Sequence, residues 1–309
     1  MILSPTKTAI GSKKIFVKDL FDSQELINKT GITNVFEAIE STVLLAYKAC
    51  LELEPLIEKE KIKVCILVTQ TPDYFLPANS IELAHKFGLS ENCLSFDINQ
   101  GCSGFVQALC LIEKLLSSYN NILLVTADRY RSKLNKSDRS TNAVFSDAST
   151  ATLCKKDQEL GIIFEDHLTD GSKKNLLFHS FEKTENDGYL HMSGAEVWMF
   201  TKTKVVKQIV KAINFCEENN LQINGIYIHQ ASKVVVEGIK SSLSSEMASK
   251  IYENYAKYGN TVSSSIAFLL QDYPLNVDGE NHVNIFAGFG VGLTSSVIVY
   301  GRKSYGKNQ

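Results

Sequence analysis

The chain has 309 residues, of which 44% are hydrophobic and 21% charged, a composition typical of folded globular proteins that excludes a disordered chain. Its 32 basic and 34 acidic side chains give a net charge of -2 at pH 7, which argues against nucleic acid or anionic lipid as the main partner. We find no apolar core of a signal peptide and no run of 18 apolar residues, and we expect a cytoplasmic protein.

The first half of the chain alternates between helical and strand patterns. Apolar residues at helical spacing predict helices over 36–60, 80–89 and 103–118, and short apolar or β-branched runs predict strands over 63–71, 93–99 and 121–128. Such alternation is typical of an α/β protein whose sheet is rich in parallel strands joined by helical crossovers.

The second half repeats this theme. We predict helices over 197–219, 232–243 and 263–273, a strand over 225–231 and a strand pair over 282–300. The repetition indicates an internally duplicated α/β architecture, divided into an N-terminal half (1–160) and a C-terminal half (161–309). No Pro/Gly/Ser-rich linker separates the halves, so we expect them to pack together.

Cys102 is the first candidate for chemistry. It lies in "FDINQGCSGFVQAL" (96–109), between a predicted strand and a predicted helix and between two glycines. A helix N-terminus favours a thiolate, so a nucleophile is plausible there, although most free cysteines are inert and buried. The seven cysteines form an odd set without a C-x-x-C pair, which favours neither a disulfide framework nor a metal site.

Two further candidates, His229 and Asn260, lie in the second half. His229 in "YIHQAS" ends a predicted strand, where the carboxyl edge of an α/β sheet forms ligand sites. Asn260 in "YGNTVSSS" (258–265) precedes a helix, where a cap is the simpler interpretation. The glycines of "AGFGVGLTSS" (287–296) precede a β-branched run instead of a helix, which favours a backbone N–H cradle over a dinucleotide site.

Together these segments resemble one family. In their order along the chain they are similar to the 3-oxoacyl-(acyl-carrier-protein) synthase III family of thiolase-fold condensing enzymes, and the resemblance rests on eight motifs: "TGI" (30–32), "TQTPDYFLPANS" (69–80), "FDINQGCSGFVQAL" (96–109), "SDRSTNAVFSDAST" (137–150), "MSGAEVWMF" (192–200), "HQAS" (229–232), "YGNTVSSS" (258–265) and "GFGVGLTS" (288–295).

The resemblance implies a thiolase-like αβαβα five-layered fold, a homodimer and a mechanism. Cys102 would accept an acyl group from a thioester, with the backbone N–H groups of Cys102 and Val291 as the oxyanion hole. His229 and Asn260, as neutral donors, would stabilise the enolate formed when a malonyl thioester loses carbon dioxide. The resemblance implies no metal and no cofactor, since acyl-coenzyme A or acyl carrier protein enters as a substrate.

The resemblance also implies four substrate-binding residues. Arg139 matches an adenine-stacking position, Ser232 ends the "HQAS" motif, and Trp198 lies in the "MSGAEVWMF" motif. Leu76, in the "DYFLP" loop, would approach the active site of the partner subunit.

Departures from the family pattern indicate a specialised member. Thr33 and Asn34 stand where arginines usually follow "TGI", Ser232 replaces an asparagine, and Val234 replaces an arginine. Two alternatives therefore stay open: acyl transfer to an oxygen or nitrogen acceptor without decarboxylation, and a non-catalytic partner subunit. The retained Cys102, His229 and Asn260 favour the condensing enzyme.

Overall fold

The computed structural model describes residues 1–180 and 188–303. Within these ranges the strands are β1 (Ile2–Leu3), β2 (Lys7–Ile10), β3 (Lys13–Phe16), β4 (Asn34–Glu37), β5 (Val64–Val68), β6 (Leu94–Ile98), β7 (Asn121–Asp128), β8 (Ala148–Lys155), β9 (Leu160–Thr169), β10 (Leu177–Phe178), β11 (His191–Met192), β12 (Gln222–Ile228), β13 (His282–Gly290) and β14 (Thr294–Arg302). The helices are α1 (Val17–Leu20), α2 (Gln24–Thr30), α3 (Thr42–Leu53), α4 (Asn79–Phe87), α5 (Gly104–Leu115), α6 (Arg139–Asn142), α7 (Gly194–Phe200), α8 (Val206–Glu218), α9 (Lys233–Lys240), α10 (Ser245–Ser249), α11 (Tyr255–Tyr258) and α12 (Ser265–Asp272).

Two larger sheets repeat the same pattern of strand pairing. In the first sheet, β2 is antiparallel to β8, β8 is antiparallel to β7, and β7 is parallel to β5. In the second sheet, β9 is antiparallel to β14, β14 is antiparallel to β13, and β13 is parallel to β12. The matching order confirms the predicted internal duplication. The first sheet draws its strands from residues 2–155 and the second from residues 160–302.

Side-chain alternation along the strands builds five layers. On β5, Val64, Ile66 and Val68 face a cluster that contains α5 and α12, whereas Cys65 and Leu67 face α3 and α4 on the other side of the first sheet. The second sheet contacts the same central pair of helices through β13 and β14, and it packs α8 and α9 on its outer face. The order is therefore helix, sheet, helix, sheet, helix, as the fold prediction stated.

Most predicted elements are present, but their ends differ and several strands were missed. The helix predicted over 36–60 begins only at Thr42, because the Ser41 side chain caps it, and residues 34–37 form β4 instead. No strand was predicted over 148–155, where β8 is built mainly from small residues whose spacing carries no clear period. The strands β1 and β2, which pair with β8, were also missed.

One long helix in the second half is continuous through an irregular turn. The predicted helix over 197–219 is observed as α7, a π-helical turn over Thr201–Val205, and α8. Among the described residues, no helix has the combination of length and apolar character needed to cross a bilayer.

The two halves make a close backbone contact where β13 crosses the start of α5. A Cβ atom added at Gly288 would lie 2.9 Å from Ser103 Cα and 3.0 Å from the Cys102 carbonyl oxygen. Real Cβ atoms do not approach other atoms this closely, so only glycine permits this spacing between the second sheet and the turn before α5.

We therefore expect Gly288→Ala to destabilise the fold by about 1–3 kcal/mol, because overpacking at a backbone contact forces the two halves apart. Chemical denaturation measures this free energy of unfolding. Gly194→Ala is the matched control, since a Cβ atom there meets nothing within 4 Å. Equal stability of the two variants would contradict the prediction.

Candidate active site

Cys102 lies in a tight turn between β6 and α5. The Gly104 amide donates to the Gly101 carbonyl oxygen at 2.8 Å, and α5 begins at Gly104. A Cβ atom at Gly104 would lie 2.5 Å from Val68 Cγ1, so the helix can start this close to β5 only with glycine. This packing leaves Cys102 just 6% exposed.

Burial decides the resting protonation state of Cys102. Desolvation, and secondarily the nearby Asp128 carboxylate, raise the pKa of the Cys102 thiol well above its usual value. The helix N-terminus was expected to favour the thiolate, but α5 begins two residues after the sulfur and its effect is smaller than that of burial. The resting residue is a neutral thiol, and its proton must leave when a bond to sulfur forms.

His229 follows β12 directly and is fixed on three sides. Its backbone amide donates to the Ala287 carbonyl at 2.9 Å, its Nδ1 lies 2.7 Å from Ser265 Oγ, and its ring packs edge-on against Phe289 with 5.4 Å between centroids. Burial lowers the pKa of His229 to about 3, so the imidazole is neutral at physiological pH. Its Nε2 has no hydrogen-bond partner among residues 1–180 and 188–303.

Asn260 is held mainly through its backbone and its side-chain oxygen. Its amide donates to the Val144 carbonyl at 2.7 Å, and its Oδ1 accepts from the Val262 amide at 3.0 Å. Val262 has a φ of 52°, a backbone conformation that is unfavourable for a β-branched residue. The hydrogen bond from its amide to Asn260 Oδ1 helps to stabilise this conformation. The Asn260 side-chain nitrogen has no partner within the described part of the chain and stays available as a donor.

The Gly-rich turn between β13 and β14 lies against Cys102. A Cβ atom at Gly290 would lie 3.2 Å from Cys102 Sγ, so the turn that carries Val291 begins beside the sulfur. Thr294 Oγ1 donates to the Val291 carbonyl at 2.8 Å and lies 2.8 Å from Ser103 Oγ. These bonds connect the turn to Ser103, the residue that follows Cys102.

Neighbouring residues bring the three predicted catalytic groups to one region. Phe289, which packs on His229, directly precedes Gly290 beside the Cys102 sulfur. Val262, whose amide binds Asn260, has its Cγ1 3.5 Å from a Cβ position at Gly101. The backbone of β12, β13 and the Asn260 loop thus surrounds the turn that carries the thiol.

A cavity of about 340 Å³ opens beside this region. It is lined by Gln70, Tyr130, Val291 and Gly292, and by a further group of described residues: Thr69, Thr71, Pro72, Asp97, Asn99, Lys133, Lys174, Leu177, Phe178, His179 and Leu190. Cys102 is not among the lining residues, so the sulfur lies behind the wall that Gln70, Tyr130 and the Gly-rich turn form.

The sequence analysis missed one buried acid in this region, Asp128 at the end of β7. It is fully buried, and its carboxylate accepts hydrogen bonds from the Gln70 amide at 2.8 Å and from the amide and hydroxyl of Ser263. Burial raises the pKa of Asp128 to about 7 despite these bonds. The sequence feature that could have indicated this buried acid is its position at the end of the apolar run "NILLVTAD" (121–128). An acid at that position is equally consistent with a strand that ends at the protein surface.

The four predicted substrate-binding residues do not form one cluster. Trp198 on α7 packs near Gly238 of α9, and Ser232 precedes α9 at its N-cap position without a side-chain capping bond. Arg139 at the start of α6 lies over the Phe21 ring at 5.7 Å. Leu76 is 86% exposed in the loop between β5 and α4.

One cluster has the residue types of a metal site, but it lies away from the thiol. Cys110 on α5 and Glu165 and His167 on β9 place possible ligand atoms within 4.8 Å of one another. The Lys114 ammonium lies 3.6 Å from Glu165 and supplies a positive charge there. Cys110 lies on α5 eight residues after Cys102, which precedes the helix, so the cluster is more than a helical turn away from the turn that carries the thiol.

Comparison with known proteins agrees with this geometry. Two family models match the chain, 3-oxoacyl-[acyl-carrier-protein (ACP)] synthase III over residues 96–171 and its C-terminal counterpart over residues 216–301. The beta-ketoacyl-[acyl-carrier-protein] synthase III of Streptococcus agalactiae serotype III is 34% identical over 284 residues, covering 84% of each chain. That of Campylobacter fetus is 31% identical over 297 residues, covering 90% of each chain.

A solved structure shows the same architecture over nearly the whole chain. The 3-oxoacyl-(acyl-carrier protein) synthase of Burkholderia xenovorans superimposes with a TM-score of 0.86 at 25% identity, covering 96% of this chain and 92% of that one. The repeated sheets, the buried thiol beside a Gly-rich turn and these matches lead to one conclusion: the chain belongs to the 3-oxoacyl-(acyl-carrier-protein) synthase III family of thiolase-fold condensing enzymes.

Proposed function

We propose that this protein loads an acyl group from a thioester onto Cys102 and condenses it with a malonyl thioester, with loss of carbon dioxide. The proposal rests on one observation: three features lie around the buried Cys102 thiol. They are the turn that contains Gly290, the packed pair of His229 and Phe289, and the loop that carries Asn260. Family membership supplies the reaction class, an acyltransferase.

In the loading step, the Cys102 sulfur attacks the thioester carbonyl. The negative charge that develops on the carbonyl oxygen is stabilised by the backbone N–H groups of Cys102 and Val291. The contact between Gly290 and the sulfur supports this pairing, since Val291 is the next residue. The thiol of the donor leaves with the proton that the Cys102 thiol gives up, and an acyl-enzyme remains.

In the condensation step, His229 and Asn260 act as uncharged donors to the malonyl carbonyl oxygen. If the Ser265 hydroxyl donates to His229 Nδ1, the proton of the neutral ring lies on Nε2, the nitrogen left without a partner in the described ranges. The Asn260 side-chain nitrogen is likewise free while its oxygen is engaged by Val262. Two such donors stabilise the enolate that forms as carbon dioxide leaves, and the enolate carbon then attacks the acyl-Cys102 carbonyl. The bond between that carbonyl carbon and the Cys102 sulfur breaks, the condensed product leaves on the malonyl carrier, and the released thiolate takes up a proton from solvent.

Acyl-coenzyme A and acyl carrier protein are the proposed thioester donors, and no bound cofactor is part of the proposal. The relatives' names refer to acyl carrier protein. Arg139, Trp198 and Ser232, with Leu76 from the partner, remain the proposed substrate contacts. The contact of the Arg139 guanidinium with the Phe21 ring supports a role for Arg139 in stacking on an adenine ring.

We also propose that two copies form a homodimer through the edge of the first sheet. The strand β6 ends that sheet, and Leu94 on it is 46% exposed. The apolar residues Tyr74, Phe75 and Leu76 are consecutive and all exposed in the loop between β5 and α4. A contiguous apolar patch beside an open sheet edge is typical of a surface buried in an assembly.

The overall activity is tested by separating loading from decarboxylation. We expect intact-mass spectrometry to show one acyl group per chain after incubation with a suitable acyl thioester, and Cys102→Ala to remove that mass shift completely. Cys93→Ser, a change at the partly buried Cys93, is the control and should load normally. A second measurement follows the release of carbon dioxide from a malonyl thioester. Release of carbon dioxide would support the condensing enzyme, whereas loading of Cys102 without it would favour an acyltransferase that transfers the acyl group to oxygen or nitrogen.

We expect His229 and Asn260 to affect the decarboxylation of the malonyl thioester and not the loading of Cys102. His229→Ala and Asn260→Asp should each lower decarboxylation by about 10²–10³-fold, the usual cost of losing one oxyanion donor, while Cys102 still loads. Aspartate at position 260 keeps an oxygen for the Val262 amide and removes the free N–H₂ group, so it separates catalysis from loop stability. Equal losses of loading and decarboxylation in Asn260→Asp would contradict this division of roles.

The proposed dimer is tested with a charge in the exposed loop. We expect Leu76→Asp to lower the molar mass measured by light scattering from that of two chains to that of one, because a charge cannot be buried in an apolar contact without a partner. Ile39→Asp is the matched control, since Ile39 is an apolar residue of similar exposure, 79%, on the segment between β4 and α3. An unchanged mass for Leu76→Asp would rule out this loop as part of the interface.

A further inference from the structure

The inner wall of the cavity beside Cys102 is polar. Gln70 and Tyr130 both line the cavity, and the Tyr130 hydroxyl donates to Gln70 Oε1 at 2.6 Å. The same Oε1 lies 2.3 Å from a Cβ position at Gly101, the residue before the nucleophile. This hydrogen-bonded pair therefore stands between the cavity and the turn that carries the thiol.

The orientation of the Gln70 amide follows from its partner. Burial raises the pKa of Tyr130 well above its usual value, with Asp128 and Cys102 adding to the effect, so the phenol keeps its proton. Gln70 Oε1 is its acceptor, and the amide oxygen must point towards Tyr130 for the hydroxyl to donate. The N–H₂ group then points the other way and finds no partner in the parts of the chain that the structure describes.

The pair is also held firmly in place. The Gln70 backbone amide donates to the buried Asp128 carboxylate at 2.8 Å, and the Tyr130 ring stacks on Phe145 with centroids 5.2 Å apart. Because neither side chain is free to turn aside without breaking these contacts, the Gln70 N–H₂ group is a fixed donor on a residue that lines the cavity. A plain alkyl chain in the adjacent space would cover this donor without satisfying it.

We propose that the acyl group accepted by Cys102 carries an oxygen substituent, a hydroxyl or oxo group, on one of its first few carbons and that the Gln70 amide binds this oxygen. This inference rests on the proposed function and names the substrate class of the same site. Beyond the polar pair, Leu177, Phe178 and Leu190 give the cavity an apolar part that an acyl chain can contact, and Asp97, Lys133 and Lys174 also line it.

The energetics favour discrimination by this donor. Gln70 is partly buried, and an alkyl chain that covers its N–H₂ group excludes water from this donor without giving it a partner; each 1.4 kcal/mol of that cost is tenfold in rate or affinity. A site that binds a substrate oxygen discriminates strongly against the analogue without that oxygen. An apolar pocket discriminates less strongly against an analogue with an added hydroxyl. We expect at least a tenfold preference for the best oxygenated acyl group over the plain acyl group of equal length.

The test compares loading rates for butyryl thioesters with those for 2-hydroxy-, 3-hydroxy- and 4-hydroxybutyryl thioesters, each on coenzyme A and on acyl carrier protein. Intact-mass spectrometry follows acylation of Cys102 in the full chain. We expect one hydroxybutyryl group to load at least tenfold faster than butyryl. We expect Gln70→Met, which keeps the length of the side chain and removes its N–H₂ group, to abolish that preference.

Tyr130→Phe provides a second variant in case Gln70→Met folds poorly. Without the phenol, the Gln70 amide is free to rotate, so the preference should fall while butyryl still loads. Tyr119→Phe makes the same chemical change at a partly buried tyrosine of the core cluster around α5 and α12 and should leave the preference unchanged. A purely structural role for Gln70 would lower all four rates together and leave their ratio intact.

The outcomes separate this inference from the proposed function. Butyryl loading as fast as every hydroxybutyryl group, or a ratio that Gln70→Met leaves unchanged, would overturn the inference while Cys102 acylation stands. If none of the four groups loads but longer acyl thioesters do, the inference also fails and the proposed function survives. If no acyl thioester loads on Cys102, both fall.

Discussion

The site depends on the approach of β13 to the turn before α5. Gly288 and Gly290 bring the backbone of the second sheet against Ser103 and the Cys102 sulfur, at distances that no other residue type permits. This contact joins the two duplicated halves at the point where one half supplies the thiol and the other supplies the imidazole and the amide. Without it, the turn that carries Val291 would not lie beside Cys102, and the proposed roles of His229 and Asn260 would have no common centre.

Burial then determines the charge of every group in the region. Desolvation raises the pKa of the Cys102 thiol, lowers the pKa of His229 to about 3 and raises the pKa of Asp128 to about 7. Cys102 and His229 are therefore uncharged at neutral pH, so in the proposed reaction hydrogen-bond donors, and not an ion pair between these two residues, would stabilise negative charge. In a low-dielectric environment such fixed donors contribute more than they would in water.

The duplication explains why the candidate residues stand at strand ends. Asp128 ends β7, His229 directly follows β12, and the Gly-rich turn follows β13. Parallel strands β5 and β7 in one half, and β12 and β13 in the other, direct their carboxyl ends to the same region. The central helices α5 and α12 pack between the sheets and hold the two sets of strand ends facing each other.

The sequence by itself determined the α/β class, most of the central helices and strands, the duplication and the identity of the candidate residues Cys102, His229 and Asn260. Those features depend on local periodicity and on motifs, which are properties of short segments. The tertiary structure decided what depends on distant neighbours. It showed that β8 is a strand. The small residues of β8 carry no periodic pattern, and the segment becomes a strand because it pairs with β7 on one side and β2 on the other. It also showed that the thiol is neutral, and that Asp128 and the Gln70 and Tyr130 pair belong to the site, because burial and contact arise only when segments far apart in the chain pack together.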